Sequence, residues 1–169
     1  MDNTDIRLLE ILQEDGRITL SDLSKELALS RPSVTERLTR LKEQGIINRI
    51  GARVSPESVG RKVLLFIQVS EVTVPYNEFE EMISSHPDII ECHRVTGMIN
   101  YLLKAAVDDM DHLGKLIDHL IPYAAINTSI VLSSPVEEKV ILPSPKTAEN
   151  PEKHLSRKTR GELKKLNNM

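Results

Sequence analysis

The sequence predicts an α+β fold, in which a helical N-terminal segment is followed by a segment with the order β-α-β-β-α-β. Two observations predict this fold. Apolar residues recur at helical spacing over residues 1–50, and from Val63 onward they occur in short runs rich in β-branched residues. Pro56 and Gly60 mark a linker between the two segments, and 169 residues are enough for two small domains.

Three short amphipathic helices are predicted before residue 50. Each begins at a residue whose side chain can cap the first turn, namely Asp2 or Asn3, then Thr19, then Ser30. Gly45 can end the third helix. The apolar faces consist of Leu8, Leu9 and Leu12 in the first helix, Leu23 and Leu27 in the second, and Val34, Leu38 and Leu41 in the third.

The segment NRIGARVS, residues 48–55, follows the third helix. Ile50 and Val54 flank Gly51, a pattern that suits a short two-stranded wing or one strand with a turn. We therefore expect a helical domain over residues 1–50 and a wing and linker over residues 51–62.

The second segment, residues 63–142, predicts the ferredoxin-like βαββαβ unit, with both helices on one face of the sheet. The other face, which we expect to carry Phe66 and Val69, needs cover, most simply from a second copy of the chain. The predicted strands are residues 63–72, 89–96, 101–107 and 125–132, with a fifth at 136–142; the predicted helices are residues 76–85 and 110–121, with Phe79, Met82, Ile83, Met110, Leu113, Ile117, Leu120 and Ile121 inward.

Composition and charge exclude several classes of function. The chain has three Tyr, two Phe and no Trp, which argues against recognition of single-stranded nucleic acid by stacking. Cys92 is the only cysteine and cannot form an internal disulfide. Residues 63–143 carry 4 Lys/Arg and 12 Asp/Glu, a net charge of −8, so contacts to phosphate must come from the ends of the chain.

The third predicted helix has one apolar face and one polar, basic face, and a short turn joins it to the second helix. This is the form of a helix-turn-helix, whose second helix enters the major groove of DNA. Arginine can bind guanine edges or phosphates, and serine and threonine contact either. A three-helix bundle with a solvated face is the alternative. The outer face carries Arg31, Ser33, Thr35, Glu36, Arg37, Thr39 and Arg40.

Three stretches of the sequence resemble the Lrp/AsnC family of prokaryotic transcription regulators. LSRPSVTERLTRLKEQGII is similar to the family's recognition-helix segment, and DIRLLEILQEDGRITLSDLSKEL to its first two helices. HRVTGMINYLLKAAV resembles the second and third strands of its sheet domain. The resemblance covers residues 2–142.

The resemblance implies a winged helix-turn-helix followed by an ACT-like domain that binds an effector, commonly an amino acid. It implies double-stranded DNA as a partner and homodimers formed through the sheets, which assemble further into tetramers or octamers. We expect a nucleoid-associated protein of the cytoplasm. DNA contacts carry over to Ser30, Arg31, Pro32, Ser33, Thr35, Arg37 and Arg40, with Arg49 and Arg53 reaching flanking phosphates from the wing.

The family's effector site carries over to the turn between the second and third strands. Many relatives have acidic residues in this turn, where this chain has Met98 and Asn100. We therefore expect an apolar amino acid, held by main-chain groups and lined by Met98; a purely structural hairpin is the alternative. The expected effector residues are Thr96, Gly97, Met98, Ile99 and Asn100 in the turn, with Thr128 on a strand expected to adjoin it.

Other interpretations remain open beside this one. A nucleoid-structuring protein would wrap DNA without a ligand, and a siroheme-decarboxylase-like enzyme would use His86 and His93. His112 and His119 share a helix face, but the sequence supplies no third metal ligand, so we expect two solvated histidines and no cofactor. The basic tail, residues 143–169, is expected to be a flexible end, with a supplementary DNA clamp as the alternative.

Overall fold

The computed structural model describes residues 1–144 and divides the chain into two compact units. One unit comprises Met1–Ala52 and the described residues from Glu138 onward, and the other comprises Arg53–Glu137. Residues 145–169 lie outside the described part, and with them nearly all of the expected basic tail. No helix within residues 1–144 is long and apolar enough to cross a membrane.

The N-terminal unit contains three helices, α1 (Asn3–Glu14), α2 (Leu20–Glu26) and α3 (Arg31–Glu43). The predicted caps Asp2, Thr19 and Ser30 each accept a hydrogen bond from a backbone N–H in the first turn of their helix. These bonds satisfy donors that the helix itself leaves unpaired. The local sequence therefore fixes where each of the three helices begins.

The three helices pack around one small apolar core. Gly45 ends α3 with a φ of 66°, and the amide of Ile46 donates to the carbonyl of Leu41, as in a Schellman motif. Several members of the predicted stripes, such as Leu12, Leu27 and Leu38, are only partly buried at the margin of the core. The buried members are Leu8, Leu9, Ile11, Leu23, Val34 and Leu41.

The predicted wing is wrong as a strand structure. Residues 48–55 form neither a strand nor a bridge, and a short 3-10 turn at Glu57–Val59 follows them. Ile50 and Val54 are exposed. A run of this length has no stability as a lone strand, because it gains neither ladder hydrogen bonds nor an apolar surface to cover.

The second unit has the predicted βαββαβ order. Its elements are β1 (Val63–Ser70), α4 (Tyr76–Ser85), β2 (Ile89–Arg94), β3 (Tyr101–Val107), α5 (Met110–Leu120) and β4 (Ala125–Ile130). The strands lie in the order β2-β3-β1-β4, and all neighbours are antiparallel. The predicted fifth strand is wrong, since residues 136–142 are not in a strand.

The core of the second unit lies between the sheet and the two helices. Alternate β1 residues Leu65, Ile67 and Val69 are buried there, against Phe79 of α4. The prediction that Val69 lies on the open face is therefore wrong. Val69 is three residues from Phe66, and side chains along a strand alternate between the two faces of the sheet. In α5 the buried residues are Leu113, Leu116 and Leu120, whereas Met110 and Ile121, predicted to face inward, are exposed.

Candidate nucleic-acid interface and effector turn

The first turn of α3 presents an exposed polar surface. The hydroxyl of Ser30 accepts a hydrogen bond from the amide of Ser33 at 3.3 Å and contacts the Ser33 hydroxyl at 2.9 Å. Thr35 is exposed, and its hydroxyl donates to the carbonyl of Arg31. Pro32 is exposed beside them. The side chain of Arg31 has no hydrogen bond or ion pair with any residue from 1 to 144, so its guanidinium is available to a ligand.

Arg37 and Arg40 have partners at the start of α1. Arg37 Nη1 lies 2.7 Å from Asp2 Oδ2 and 2.7 Å from Asp5 Oδ1. Arg40 Nη2 donates to both carboxylate oxygens of Asp5, at 2.8 and 2.9 Å. Both arginines were expected on the outer face of α3, and the structure adds that their guanidinium groups contact carboxylates at the start of α1.

The Asp2–Asp5–Arg37–Arg40 cluster is partly withdrawn from solvent. The Asp5 side chain is 3% exposed and that of Arg37 is 23% exposed. The hydrogen bonds that Arg37 donates to Asp2 and Asp5 raise the pKa of Arg37. Burial acts to raise the pKa of Asp2, but the hydrogen bonds from Arg37 and from the Asp5 amide outweigh it and hold that pKa below its ordinary value. The ion pairs of this cluster join α3 to the start of α1.

The two arginines predicted to reach flanking phosphates lie in different units. Arg49 is exposed in the N-terminal unit, and its side chain folds against Gly51. Arg53 belongs to the sheet unit and forms an exposed ion pair with Glu137 at 3.0 Å. An exposed ion pair of this kind is weak.

The predicted effector turn connects β2 to β3. The amide of Val95 donates to the carbonyl of Asn100, and the amide of Asn100 donates to the carbonyl of Val69 on β1. Gly97 has a φ of 118°, and a Cβ built there would meet no atom within 4 Å. Glycine is therefore favoured by backbone conformation and not by crowding. Met98 is 99% exposed, so it lines no pocket formed by residues 1–144.

A polar and aromatic cluster beside this turn was not predicted. The guanidinium of Arg94 lies 4.3 Å from the centre of the Tyr76 ring, and Asn100 Nδ2 donates to the Tyr76 hydroxyl at 3.3 Å. Tyr101 donates to Glu80 at 2.7 Å. Burial and this bond to Glu80 raise the pKa of Tyr101 to about 12. The sequence offered one signal for this cluster: Tyr76 and Tyr101, two of the three tyrosines in the chain, are the first residues of α4 and β3.

Thr128 does not adjoin the turn within one chain. It lies on β4, opposite Ile67, whereas the turn leaves β2 at the other edge of the sheet. The expectation that the Thr128 strand lies next to the turn is wrong, because β1 and β3 separate β4 from β2.

The histidines do not form one site. His93 shares the open face of the sheet with Glu91, which it contacts at 3.2 Å, whereas His86 packs against His119 of α5 on the helical side. His112 Nε2 lies 2.9 Å from Asp88 Oδ2. The expectation that His112 is a solvated histidine without a partner is therefore wrong. No group of three or more metal-binding side chains occurs within residues 1–144.

Asp88 is the buried centre of a second charged cluster. Besides His112 it binds Arg61, whose guanidinium also donates to the carbonyl of Ala106 at 2.6 Å. Burial acts to raise the pKa of Asp88, but the Arg61 hydrogen bond and the charges of His112 and Arg61 hold it below the ordinary value. Burial lowers the pKa of the neighbouring His86. The cluster ties the start of β1 to the α4–β2 loop and to α5.

Two family models match the chain and together span nearly all of its described part. Residues 1–48 match a winged helix-turn-helix DNA-binding model, and residues 62–141 match the Lrp/AsnC ligand-binding domain. The first match ends at residue 48, the first residue of the segment in which we expected a wing.

Curated relatives are transcription regulators. The chain is 34% identical to the uncharacterised HTH-type regulator YezC of Bacillus subtilis, over 79% of this chain and 95% of the relative. It is 38% identical to the leucine-responsive regulatory protein of Haemophilus influenzae, over 69% of this chain and 72% of the relative.

Solved structures agree with this relationship. LrpC of Bacillus subtilis matches with a TM-score of 0.78 at 29% identity, covering 82% of this chain and 99% of that one. A Neisseria meningitidis transcriptional regulator, solved in complex with L-Met, matches with a TM-score of 0.77 at 32% identity, covering 83% and 96%. The helix-turn-helix, the βαββαβ unit and both sets of relatives show that the chain belongs to the Lrp/AsnC family of transcriptional regulators.

Proposed function

We propose that this protein is a sequence-specific transcriptional regulator that reads double-stranded DNA through the first turn of α3. The observation that carries the proposal is the exposed guanidinium of Arg31, which has no partner within residues 1–144, beside the hydroxyls of Ser30, Ser33 and Thr35. An arginine can bind a guanine edge with two hydrogen bonds, and the hydroxyls can bind bases or phosphates. Membership of a regulator family supports the same function.

Selection from a random duplex library, followed by titration of the selected and scrambled duplexes, tests this proposal. Arg31→Ala is expected to weaken binding to the selected duplex by about 1–3 kcal/mol, since a base-reading arginine is lost. Arg17→Ala is the matched control, because it removes an equal charge from an exposed position in the same unit but off α3. Equal losses in both variants contradict the assigned recognition surface.

The proposed regulator is a homodimer that joins two copies through the open faces of their sheets. Phe66 is 37% exposed on this face, opposite Lys104 of β3 and Ser129 of β4. Two copies present two α3 helices, which suits an operator with two half-sites. Association of dimers into tetramers or octamers belongs to the same proposal.

We further propose that a small apolar amino acid modulates the regulator by binding at the β2–β3 turn. The related regulator from Neisseria meningitidis was solved with L-Met, which supports this class of ligand. The side chains of Met98 and Asn100 offer no carboxylate to an ammonium group, so main-chain groups of residues 96–100 would orient the ligand. Because Met98 is exposed within residues 1–144, a second copy would complete the pocket that it lines.

The duplex selection also tests the architectural alternative. A protein that wraps DNA without reading it would return no preferred sequence, whereas a regulator returns one. An enzymatic role for His86 and His93 has no geometric support, because the two side chains lie on opposite sides of the sheet. Binding of a tetrapyrrole, visible by absorbance, would revive that alternative.

A further inference from the structure

We propose that Asp5 is a positioning residue for DNA recognition, which holds Arg40 by one nitrogen so that the rest of its guanidinium faces DNA. The proposal rests on the function proposed above, because it names how one side chain of α3 is prepared for that contact. Asp5 lies on α1, and its nearest carboxylate oxygen is 2.8 Å from Arg40 Nη2.

Arg40 is held on one edge and open on the other. Its Nη2 contacts both oxygens of Asp5, whereas its Nε and Nη1 have no hydrogen-bond partner within residues 1–144. The Arg40 side chain is 45% exposed. Guanidinium is planar, so fixing one nitrogen also fixes the direction of the remaining N–H groups. The open edge is thereby oriented before DNA arrives.

Arg37 has a different role in the same cluster. Its Nη1 lies between Asp2 and Asp5, and its side chain is about half as exposed as that of Arg40. Arg37 therefore holds the buried carboxylate of Asp5 in place, and Asp5 in turn holds Arg40. A chain of fixed contacts of this kind lowers the ordering cost of binding, because the arginine side chain is already immobilised.

The charge of the cluster predicts which kind of DNA binding it serves. Two aspartates balance two arginines, so the cluster adds no net positive charge. Attraction to phosphates of any sequence depends on net positive charge and on counterion release. Arg40 in this setting is therefore suited to discriminating between sequences and contributes little to general affinity.

Asp5→Asn in the full chain tests the proposal. The amide keeps the shape of the side chain but removes the charge that anchors Arg40. We expect the ratio of affinities for the selected and scrambled duplexes to fall about tenfold, the discrimination typical of an oriented arginine contact. We also expect the dependence of log affinity on log salt to steepen by ~0.9, because the released Arg40 can now neutralise a phosphate.

Glu14→Gln is the matched control, since it removes an equal charge from an exposed position at the other end of α1. It should leave both the affinity ratio and the salt dependence unchanged. A purely structural role for Asp5 would instead lower binding to both duplexes together, in parallel with loss of helical circular dichroism.

Arg40→Lys keeps the proposal testable if Asp5→Asn does not fold. A lysine ammonium preserves the ion pair with Asp5 but has no second edge to present, so the affinity ratio should again fall about tenfold in a folded protein. An unchanged ratio in folded Arg40→Lys or folded Asp5→Asn overturns the proposal. If wild-type protein selects no duplex, the proposed function itself fails, which is a separate result obtained before any variant is made.

Discussion

Arg31 and Arg37 lie on the same helix, and within residues 1–144 only Arg37 has a partner outside that helix. Arg37 follows Val34 by three residues and precedes Leu41 by four, so helical spacing places it at the edge of the apolar stripe, and that much follows from the sequence. The spacing does not tell which side chain meets another helix, because the Asp5 contact joins residues 32 positions apart. The caps at Thr19 and Ser30 were predictable because their bonds span only three residues.

Arg37→Ala should lower the stability of the N-terminal unit. The substitution removes one of the two arginines that neutralise the buried carboxylate of Asp5, and an uncompensated buried charge is costly. Because Arg40 remains on Asp5, we expect a loss of about 1–3 kcal/mol in the free energy of unfolding, measured by urea denaturation.

Arg31→Ala provides the comparison for this stability measurement. Its side chain has no partner within residues 1–144, so the free energy of unfolding should change by less than about 0.5 kcal/mol. Equal stability of Arg37→Ala and wild type would mean that the ion pairs with α1 contribute nothing to folding.

Asp88 should make the sheet unit sensitive to acid. Its pKa in the folded protein lies below the ordinary value of 3.8, so its contribution to stability is present above that value. The contribution is lost as the pH falls through the folded pKa, because protonation breaks the pairs with Arg61 and His112.

Urea denaturation at a series of pH values from neutral to acid checks this expectation. Asp88→Asn should be less stable than wild type at neutral pH and should lose less of its remaining stability in acid. The exposed Asp118 on α5 supplies the control Asp118→Asn, which should retain the acid sensitivity of wild type. Parallel curves for wild type and Asp88→Asn would show that Asp88 is not the titrating group.

At the scale of the elements, the sequence predicts the helices whose bounds depend on local periodicity and on flanking prolines. The bounds of α4 agree with the prediction, and Pro75 and Pro87 flank it. The inner stripe of α5 was misassigned, because its apolar residues occur on more than one face and only packing against the sheet selects Leu116 over Met110. The predictions of the wing and of the fifth strand were wrong for a related reason. A strand requires a hydrogen-bonded partner strand, and a single run of sequence does not reveal that partner.

Substitutions of Phe66, on the open face of the sheet, and of Val69, in the core, test whether the open face is the dimer interface. Phe66→Asp places a charge on the face proposed to join two copies, so we expect folded monomers by sedimentation. Val69→Asp is the matched variant in the same strand. Because Val69 is fully buried, a carboxylate there should unfold the sheet unit, as circular dichroism would report. A folded dimer of Phe66→Asp would exclude this face as the interface.

In the whole molecule, the two proposed sites lie in different structural units. The α3 surface belongs to the unit beginning at Met1, and the β2–β3 turn belongs to Arg53–Glu137. Charge agrees with this division, since the net charge of −8 over residues 63–143 disfavours DNA binding by that stretch. The sequence located the turn by resemblance, but it missed Tyr76 and Arg94, because the start of α4 comes beside the turn only through folding.

Because the sites are separate, ligand response and DNA binding should be separable by mutation. Gly97→Val forces a β-branched residue into a φ of 118°, which strains the turn without creating a steric clash. We expect this variant to lose the rise in melting temperature that an apolar amino acid produces in wild type, and to bind the selected duplex as wild type does. Arg31→Ala should show the opposite pattern.

Thermal-shift titration with the twenty amino acids, beside duplex titration, measures both properties on each variant. Gly114→Ala is the control for changing a glycine in the sheet unit, since Gly114 lies in α5 without a positive φ and a Cβ there meets nothing within 4 Å. If a charged amino acid binds wild type best, the apolar site inferred from Met98 is wrong although the turn is still a binding site. If Gly97→Val responds to the ligand as wild type does, the ligand binds elsewhere, because a site built from the main chain of residues 96–100 cannot tolerate a changed backbone.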